Sequence, residues 1–168
     1  FATVMSRAWS SPFLMPDCFP GVERGSHRAR QPNIMQRMDA TIQPIVYIVD
    51  DDASVRRALR RLIITTGMNA ETFASAHEFL ESLYREDGAC LLVDIQMPGI
   101  TGLALQQQLL ERGSRIPVIF ITAYDTPESR READDLGAYG YYRKPVDGQV
   151  LLQAIEDALS KAQNLKAG

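Results

Sequence analysis

The sequence predicts an α/β fold, a doubly wound five-stranded parallel sheet with five helices, and three observations lead there. From Pro44 onward, short apolar runs alternate with amphipathic segments of helical period. There are five of each, and strict alternation of this kind implies parallel strands whose helical crossovers cover both faces of the sheet. The strongest runs, IVYIV and ACLLV, are apolar at consecutive positions, as expected of strands buried on both sides.

Residues 45–49 (IVYIV) form the first strand. A helix follows that Ser54 is placed to cap, with Val55, Ala58, Leu59, Leu62 and Ile63 on one face and Gly67 as its stop. The second strand is the weaker run 69–73, leading to a helix opened by Ser75 and carrying Phe79, Leu80 and Leu83. Residues 89–93 (ACLLV) are the third strand, 102–113 the third helix, ending at Gly113, and 117–121 (PVIFI) the fourth strand. The polar helix 127–137 leads to a short fifth strand around 138–142. The last helix presents Val150, Leu151, Ala154, Ile155, Ala158 and Leu159 on its apolar face. No internal repeat is visible.

A chain of 168 residues, 45% apolar, suits one ordinary domain with a tail. Residues 1–43 carry Arg7, Arg24, Arg28, Arg30 and Arg37 against Asp17, Glu23 and Asp39, and show Pro, Ser and Gly without sustained periodicity. Disorder is the expectation for them, as a bland extension rather than a transit peptide or a nucleic-acid arm. Met38 is a candidate natural start, which would make 1–37 part of an extended reading frame. Residues 44–160 then form the domain, and 161–168 a C-terminal linker or tail.

From Pro44 on, the charge is acidic, which disfavours direct nucleic-acid binding because phosphate contacts need clustered Lys and Arg. Two cysteines, Cys18 and Cys90, make no disulfide framework, so a reducing compartment fits. No run approaches the roughly 18–20 apolar residues of a membrane span, and no signal peptide is evident. A cytoplasmic location with no membrane contact is expected.

The ends of the strands carry the chemistry. Asp50, Asp51 and Asp52 directly follow the first strand, and such a cluster resists joint ionisation unless something positive sits beside it. The third strand is followed by Asp94, the fourth by Thr122 and the fifth by Lys144. In open parallel sheets ligands sit outside the C-terminal strand ends. Carboxylates, a hydroxyl and an ammonium converging there make a site for a hard cation and a phosphoryl group, since Mg²⁺ prefers oxygen ligands. Each residue alone reads more simply: an Asp after a strand as a cap or turn residue, Thr122 as a strand end, Lys144 as a solvated charge. Their joint placement carries the reading.

These segments resemble the receiver domain of bacterial two-component response regulators. The resemblance covers about residues 45–159 and rests on VDDD (49–52), LLVDIQMPGITG (91–102), VIFITAYD (118–125) and GAYGYYRKPV (137–146). The spacing agrees too: 43 residues from Asp51 to Asp94, 28 on to Thr122 and 22 on to Lys144. The family's fold is flavodoxin-like, with strand order 2-1-3-4-5. Residue by residue, the resemblance implies that Asp94 is the phosphoacceptor and that Asp51 binds Mg²⁺ directly. Asp50 acts mainly through a metal-bound water, and the backbone carbonyl of Gln96 completes the protein ligands. Asp52 has a surface or capping role. Lys144 pairs with Asp94 before phosphorylation and with the phosphoryl group afterwards, Thr122 donates its hydroxyl to that group, and Tyr141 is the aromatic switch residue. Lys144-Pro145 corresponds to a cis peptide in the family.

The implied function is a phosphorylation-activated switch that takes its phosphoryl group from a sensor histidine kinase. It is not an enzyme beyond self-catalysed phosphoryl transfer and slow autodephosphorylation. Movement of Thr122 and Tyr141 would alter the face of the fourth helix and fifth strand, the expected surface for a homodimer or another partner. ETFASAHEFLES and the stretch from Ile121 to Val146 look most like receivers of the FixJ group of LuxR-type regulators, so transcription regulation in a longer parent protein is expected. A stand-alone receiver or a constitutive interaction module is the alternative. A phosphatase of the haloacid dehalogenase type needs a second Asp two residues after the nucleophile, where this chain has Gln96. His27 and His77 lack metal-site partners, Cys90 reads as a small buried residue, and Trp9 belongs to the tail.

Overall fold

The computed structural model describes residues 43–164, and all ten expected elements occur in the expected order. They are β1 (Ile45–Val49), α1 (Ala53–Ile64), β2 (Asn69–Phe73), α2 (Ala76–Glu81), β3 (Ala89–Asp94), α3 (Gly102–Glu111), β4 (Val118–Thr122), α4 (Pro127–Asp135), β5 (Gly140–Arg143) and α5 (Gly148–Asn164). The strands form one parallel sheet in the order β2-β1-β3-β4-β5, as the resemblance implied.

Alternate side chains of a strand point to opposite faces, and β1 shows how this builds two cores. Ile45, Tyr47 and Val49 join Phe79 of α2, Leu105 and Leu109 of α3, and Ala133 of α4. Val46 and Ile48 join Ile63 of α1 and Leu151 and Ile155 of α5. The strands β1, β3 and β4 are buried at every position, which is why they read as continuous apolar runs. Each fully buried Phe, Leu or Ile is worth roughly 1.5–3 kcal/mol over exposure, so these central strands anchor the sheet and leave their C-terminal ends free to carry polar groups. The edge strands β2 and β5 are only partly covered, which accounts for the weaker pattern of β2.

Several local expectations change. The N-cap of α1 is Asp52, in the capping role that the resemblance implied for it, and not Ser54: its carboxylate accepts from the Ser54 N–H at 2.7 Å and the Val55 N–H at 3.4 Å. A carboxylate there also gains from the positive end of the helix dipole. Leu83 is not on α2, because the helix stops at Glu81, Ser82 turns to an extended conformation, and Leu83 stands fully exposed. Val150 and Ala58 are exposed rather than packed inward, the first at the opening turn of α5. Residues 161–164, placed in the C-terminal tail, continue α5.

No helix of the described residues is long and apolar enough to cross a membrane. The expectations for residues 1–42, including the disordered extension, the start at Met38 and the readings of Cys18, His27 and Trp9, lie outside the described residues. So do those for residues 165–168.

Candidate functional site

Strand register brings the distant polar residues to one edge. Val49 of β1 lies beside Val93, one residue before Asp94. Asp94 lies beside Ile121, one residue before Thr122, and Thr122 lies beside Arg143, one residue before Lys144. Asp50, Asp94, Thr122 and Lys144 therefore occupy the C-terminal ends of four adjacent parallel strands.

The centre of the site is a three-way contact. Lys144 Nζ donates to Asp50 Oδ2 and to Asp94 Oδ2, each at 2.7 Å. The resemblance pairs this lysine with Asp94; its direct bond to Asp50 as well follows because Asp50 and Asp94 end neighbouring strands. Both carboxylates are buried, whereas Lys144 reaches them from a partly open position. Burial pushes the Asp50 carboxyl above the ordinary range, and this outweighs the opposing bonds from Lys144 and the Asp52 N–H. Burial pulls the Lys144 ammonium down, but its two carboxylate partners outweigh that, and the net shift is upward.

The loop after β1 is held at several points. Asp50 Oδ1 accepts from the Asp52 N–H at 2.8 Å, and the Asp50 N–H donates to the Phe73 carbonyl at 3.2 Å. The guanidinium of Arg56, one turn into α1, donates to the Asp50 carbonyl. With Asp52 spent on its cap, Asp51 is left exposed, its carboxylate making no hydrogen bond or ion pair among the described residues. Carboxylate oxygens of Asp50, Asp51 and Asp94 all lie within 4.8 Å of one another. Two buried carboxylates, one free exposed carboxylate and an all-oxygen donor set fit a hard divalent cation.

The turn after β3 is fastened to the same cluster. The Gln96 N–H donates to Asp94 Oδ1 at 3.0 Å. Met97, Pro98 and Gly99 then reverse the chain, with Gly99 at φ +81°, a conformation that favours glycine. The Lys144-Pro145 peptide is cis, as the resemblance implied.

Thr122 and Tyr141 lie near this centre without touching it. The Thr122 hydroxyl is buried, donating to the Tyr124 carbonyl and accepting from the Tyr124 N–H, each at 3.2 Å. Tyr141 is half-buried beside α4. Its phenol oxygen is 2.8 Å from Ser129 Oγ, and the Arg130 guanidinium stands 4.4 Å over its ring. Tyr141 pairs with Phe120 of β4, two residues before Thr122, so the two residues face the same side of the sheet.

Three participants escaped the sequence reading. Arg56 lay inside the quoted amphipathic helix, and only its reach back to Asp50 marks it. Gly102 closes the LLVDIQMPGITG segment, but its close seat on Asp94 is a tertiary fact. Ser129 looked like one more polar residue of α4. The simpler readings hold elsewhere: among the described residues, His77 pairs only with Glu81, at 3.4 Å on an exposed helix face. Burial pushes the Cys90 thiol up to about 12, which makes it inert near neutral pH.

The sequence profile of the family described as "Response regulator receiver domain" matches residues 46–156. Among curated proteins, the chain is 38% identical over 115 residues to the transcriptional regulatory protein TdiR of Thauera aromatica, a match covering 68% of this chain and 51% of TdiR. Among solved structures, the response regulator StyR superposes with a TM-score of 0.69 at 42% identity, covering 74% of this chain and 63% of that one. FixJ-N superposes at 0.65 with 31% identity, covering 70% and 94%. The chain thus spans about half the length of TdiR.

Proposed function

The chain belongs to the response regulator receiver domain family of two-component systems, and from that premise we propose that Asp94 is its phosphoacceptor and Lys144 the cation that serves it. The observation that carries this reading is the pair of 2.7 Å contacts from Lys144 to Asp94 and Asp50. In the proposed step, a carboxylate oxygen of Asp94 attacks the phosphorus of a phosphohistidine on a partner kinase. The new O–P bond forms as the P–N bond breaks, and the bonding pair leaves with the imidazole nitrogen. Lys144, already beside Asp94, offsets charge on the transferring oxygens, the main form of assistance in this reaction class.

We assign the divalent cation as Mg²⁺, which Asp51, Asp94 and the Gln96 carbonyl would hold, with Asp50 acting through a bound water. When bound, it supplies positive charge to the phosphoryl oxygens. The acyl phosphate formed on Asp94 is later lost to water, and no other enzymatic activity is proposed.

Added charge shifts a two-state element only if one state meets it with better contacts. Thr122 can offer its hydroxyl to the phosphoryl group once it leaves Tyr124. The space it vacates admits the Tyr141 ring, which gives up Ser129 and repacks the face of α4 and β5. We propose that face as the surface for a second copy or another partner. The likeness to FixJ-N supports a place near the FixJ group, while the higher identity to TdiR and StyR points to a wider set of regulators. Coverage of about half of TdiR supports a role as the input domain of a longer transcription regulator.

Intact mass after incubation with acetyl phosphate tests the central assignment. Wild type should gain one phosphoryl group only when Mg²⁺ is present, and Asp94→Asn should gain none. A gain that persists in Asp94→Asn would refute the assignment, and a folded wild type that gains nothing would favour a constitutive interaction module.

A further inference from the structure

A cavity of about 270 Å³ opens between the end of α3, the chain before β4, the turn after α4 and the end of α5. Its walls include Leu110, Ile116 and Leu136, and its charged lining residues are Arg115 and Lys161, with no carboxylate among them. Ile116 and Tyr139 precede the N-terminal ends of β4 and β5, so this cavity does not share the edge that carries Asp94.

Gln106 gives the cavity a specific demand. It lines the cavity from α3, is only 5% exposed, and its Nε2 donates to the Leu136 carbonyl at 2.9 Å. Its Oε1 is buried with no hydrogen-bond partner among the described residues. Turning the amide over would set oxygen against oxygen, so the orphan cannot be relieved that way. A buried acceptor without a donor is unfavourable, and this one belongs to a side chain that borders an apolar cavity flanked by two cations.

We propose that this cavity binds a small organic anion bearing a hydroxyl or amino donor. The anionic group meets Arg115 and Lys161, and the apolar body lies along Leu110 and Leu136. Oε1 is closed to solvent in the unliganded chain, so the donor reaches and satisfies it as the wall about Gln106 opens on binding. Lys161 already stands 5.4 Å from the Tyr139 ring centroid, at the mouth of the cavity. Occupancy braces Leu136, the C-cap of α4, at the far end of the helix from Ser129 and Tyr141. Such a ligand therefore acts on the element that the proposed switch must move, a consequence that rests on that reading, whereas the binding itself does not.

The test is an NMR titration of the full ¹⁵N-labelled chain with 4-hydroxybenzoate. Benzoate, which lacks the donor, and 4-hydroxybenzamide, which lacks the charge, serve as controls. Saturable shifts are expected at Leu110, Leu136, Lys161 and the Gln106 side-chain amide, with each control binding at least fivefold more weakly. Gln106→Met should erase the preference over benzoate. The double variant Arg115→Ala/Lys161→Ala, at two exposed positions that should leave folding intact, should erase the preference over the amide. No saturable shift in wild type, equal affinity for all three compounds, or preferences that survive in the variants would each overturn the proposal. None of these measurements involves phosphoryl transfer, so their outcome is separate from the role of Asp94.

Discussion

Gly102 of α3 is seated so closely on Asp94 at the end of β3 that a Cβ built on it would lie 2.4 Å from the Asp94 carbonyl oxygen and 2.8 Å from Val93 Cγ1. The nearest obstacle is backbone within a central strand, and it cannot move aside cheaply. The Gly102 N–H also donates to the Ile95 carbonyl at 3.0 Å, tying the start of α3 to the turn after Asp94. Gly102→Ala should therefore destabilise the fold by about 1–3 kcal/mol, the usual cost of overpacking. It should also slow phosphorylation from acetyl phosphate on the order of 10²-fold, because a displaced carboxylate misses its line of attack. Urea unfolding and initial rates of mass gain measure the two effects, and wild-type stability in the variant would contradict this account of the glycine.

Lys144 makes stability depend on alkaline pH. Its folded-state pKa lies above the ordinary value of 10.5, so its stabilising contribution is complete below 10.5 and is lost as pH rises through the folded value. The Asp50 shift has the same sense in the acid range: a raised carboxyl also favours the folded state as pH falls toward the ordinary value of 3.8. In EDTA, the stability difference between wild type and Lys144→Met should be flat from pH 7 to 10 and shrink above that. Chemical unfolding at stepped pH reads this directly, and a constant difference up to pH 12 would exclude it.

Arg56 should tune the proposed Mg²⁺ site without being one of its ligands. Its guanidinium holds the Asp50 carbonyl and so fixes the peptide that aims Asp51 at the acidic cluster. Arg56→Lys keeps the charge and loses the planar fork. It should weaken Mg²⁺ binding roughly tenfold, in the range seen when supporting partners of metal ligands are removed. Calorimetric titration with Mg²⁺ checks this, and unchanged affinity would mean that the contact is incidental.

The bond between Tyr141 and Ser129 should be specific to the unphosphorylated state. A double-mutant cycle of Tyr141→Phe and Ser129→Ala should give a coupling of about 0.5–1.5 kcal/mol in unfolding free energy. With Mg²⁺ and beryllium fluoride, a phosphoryl mimic, the coupling should fall toward zero as the ring leaves α4. Equal coupling in both conditions would sink the proposed movement of Tyr141.

Which features could be read along the chain, and which could not, follows from the range of the forces involved. Alternation of IVYIV-type runs with amphipathic segments reports burial periodicity, a local property, and it determined the ten elements and their order. Because side chains at strand ends follow from element boundaries, Asp50, Asp51, Asp94, Thr122 and Lys144 were also legible. The choice of Asp52 over Ser54 as cap of α1, and the end of α2 before Leu83, turned on competition between neighbouring donors and acceptors, which periodicity does not resolve. Tertiary structure alone decided that Lys144 serves Asp50 as well as Asp94, that Thr122 rests on Tyr124, that Tyr141 is tied to Ser129, and that Gln106 is buried with an orphan oxygen. The cross-strand contacts join residues as far as 94 positions apart. Their distances are set by sheet register and helix seating, which arise only when both cores pack at once.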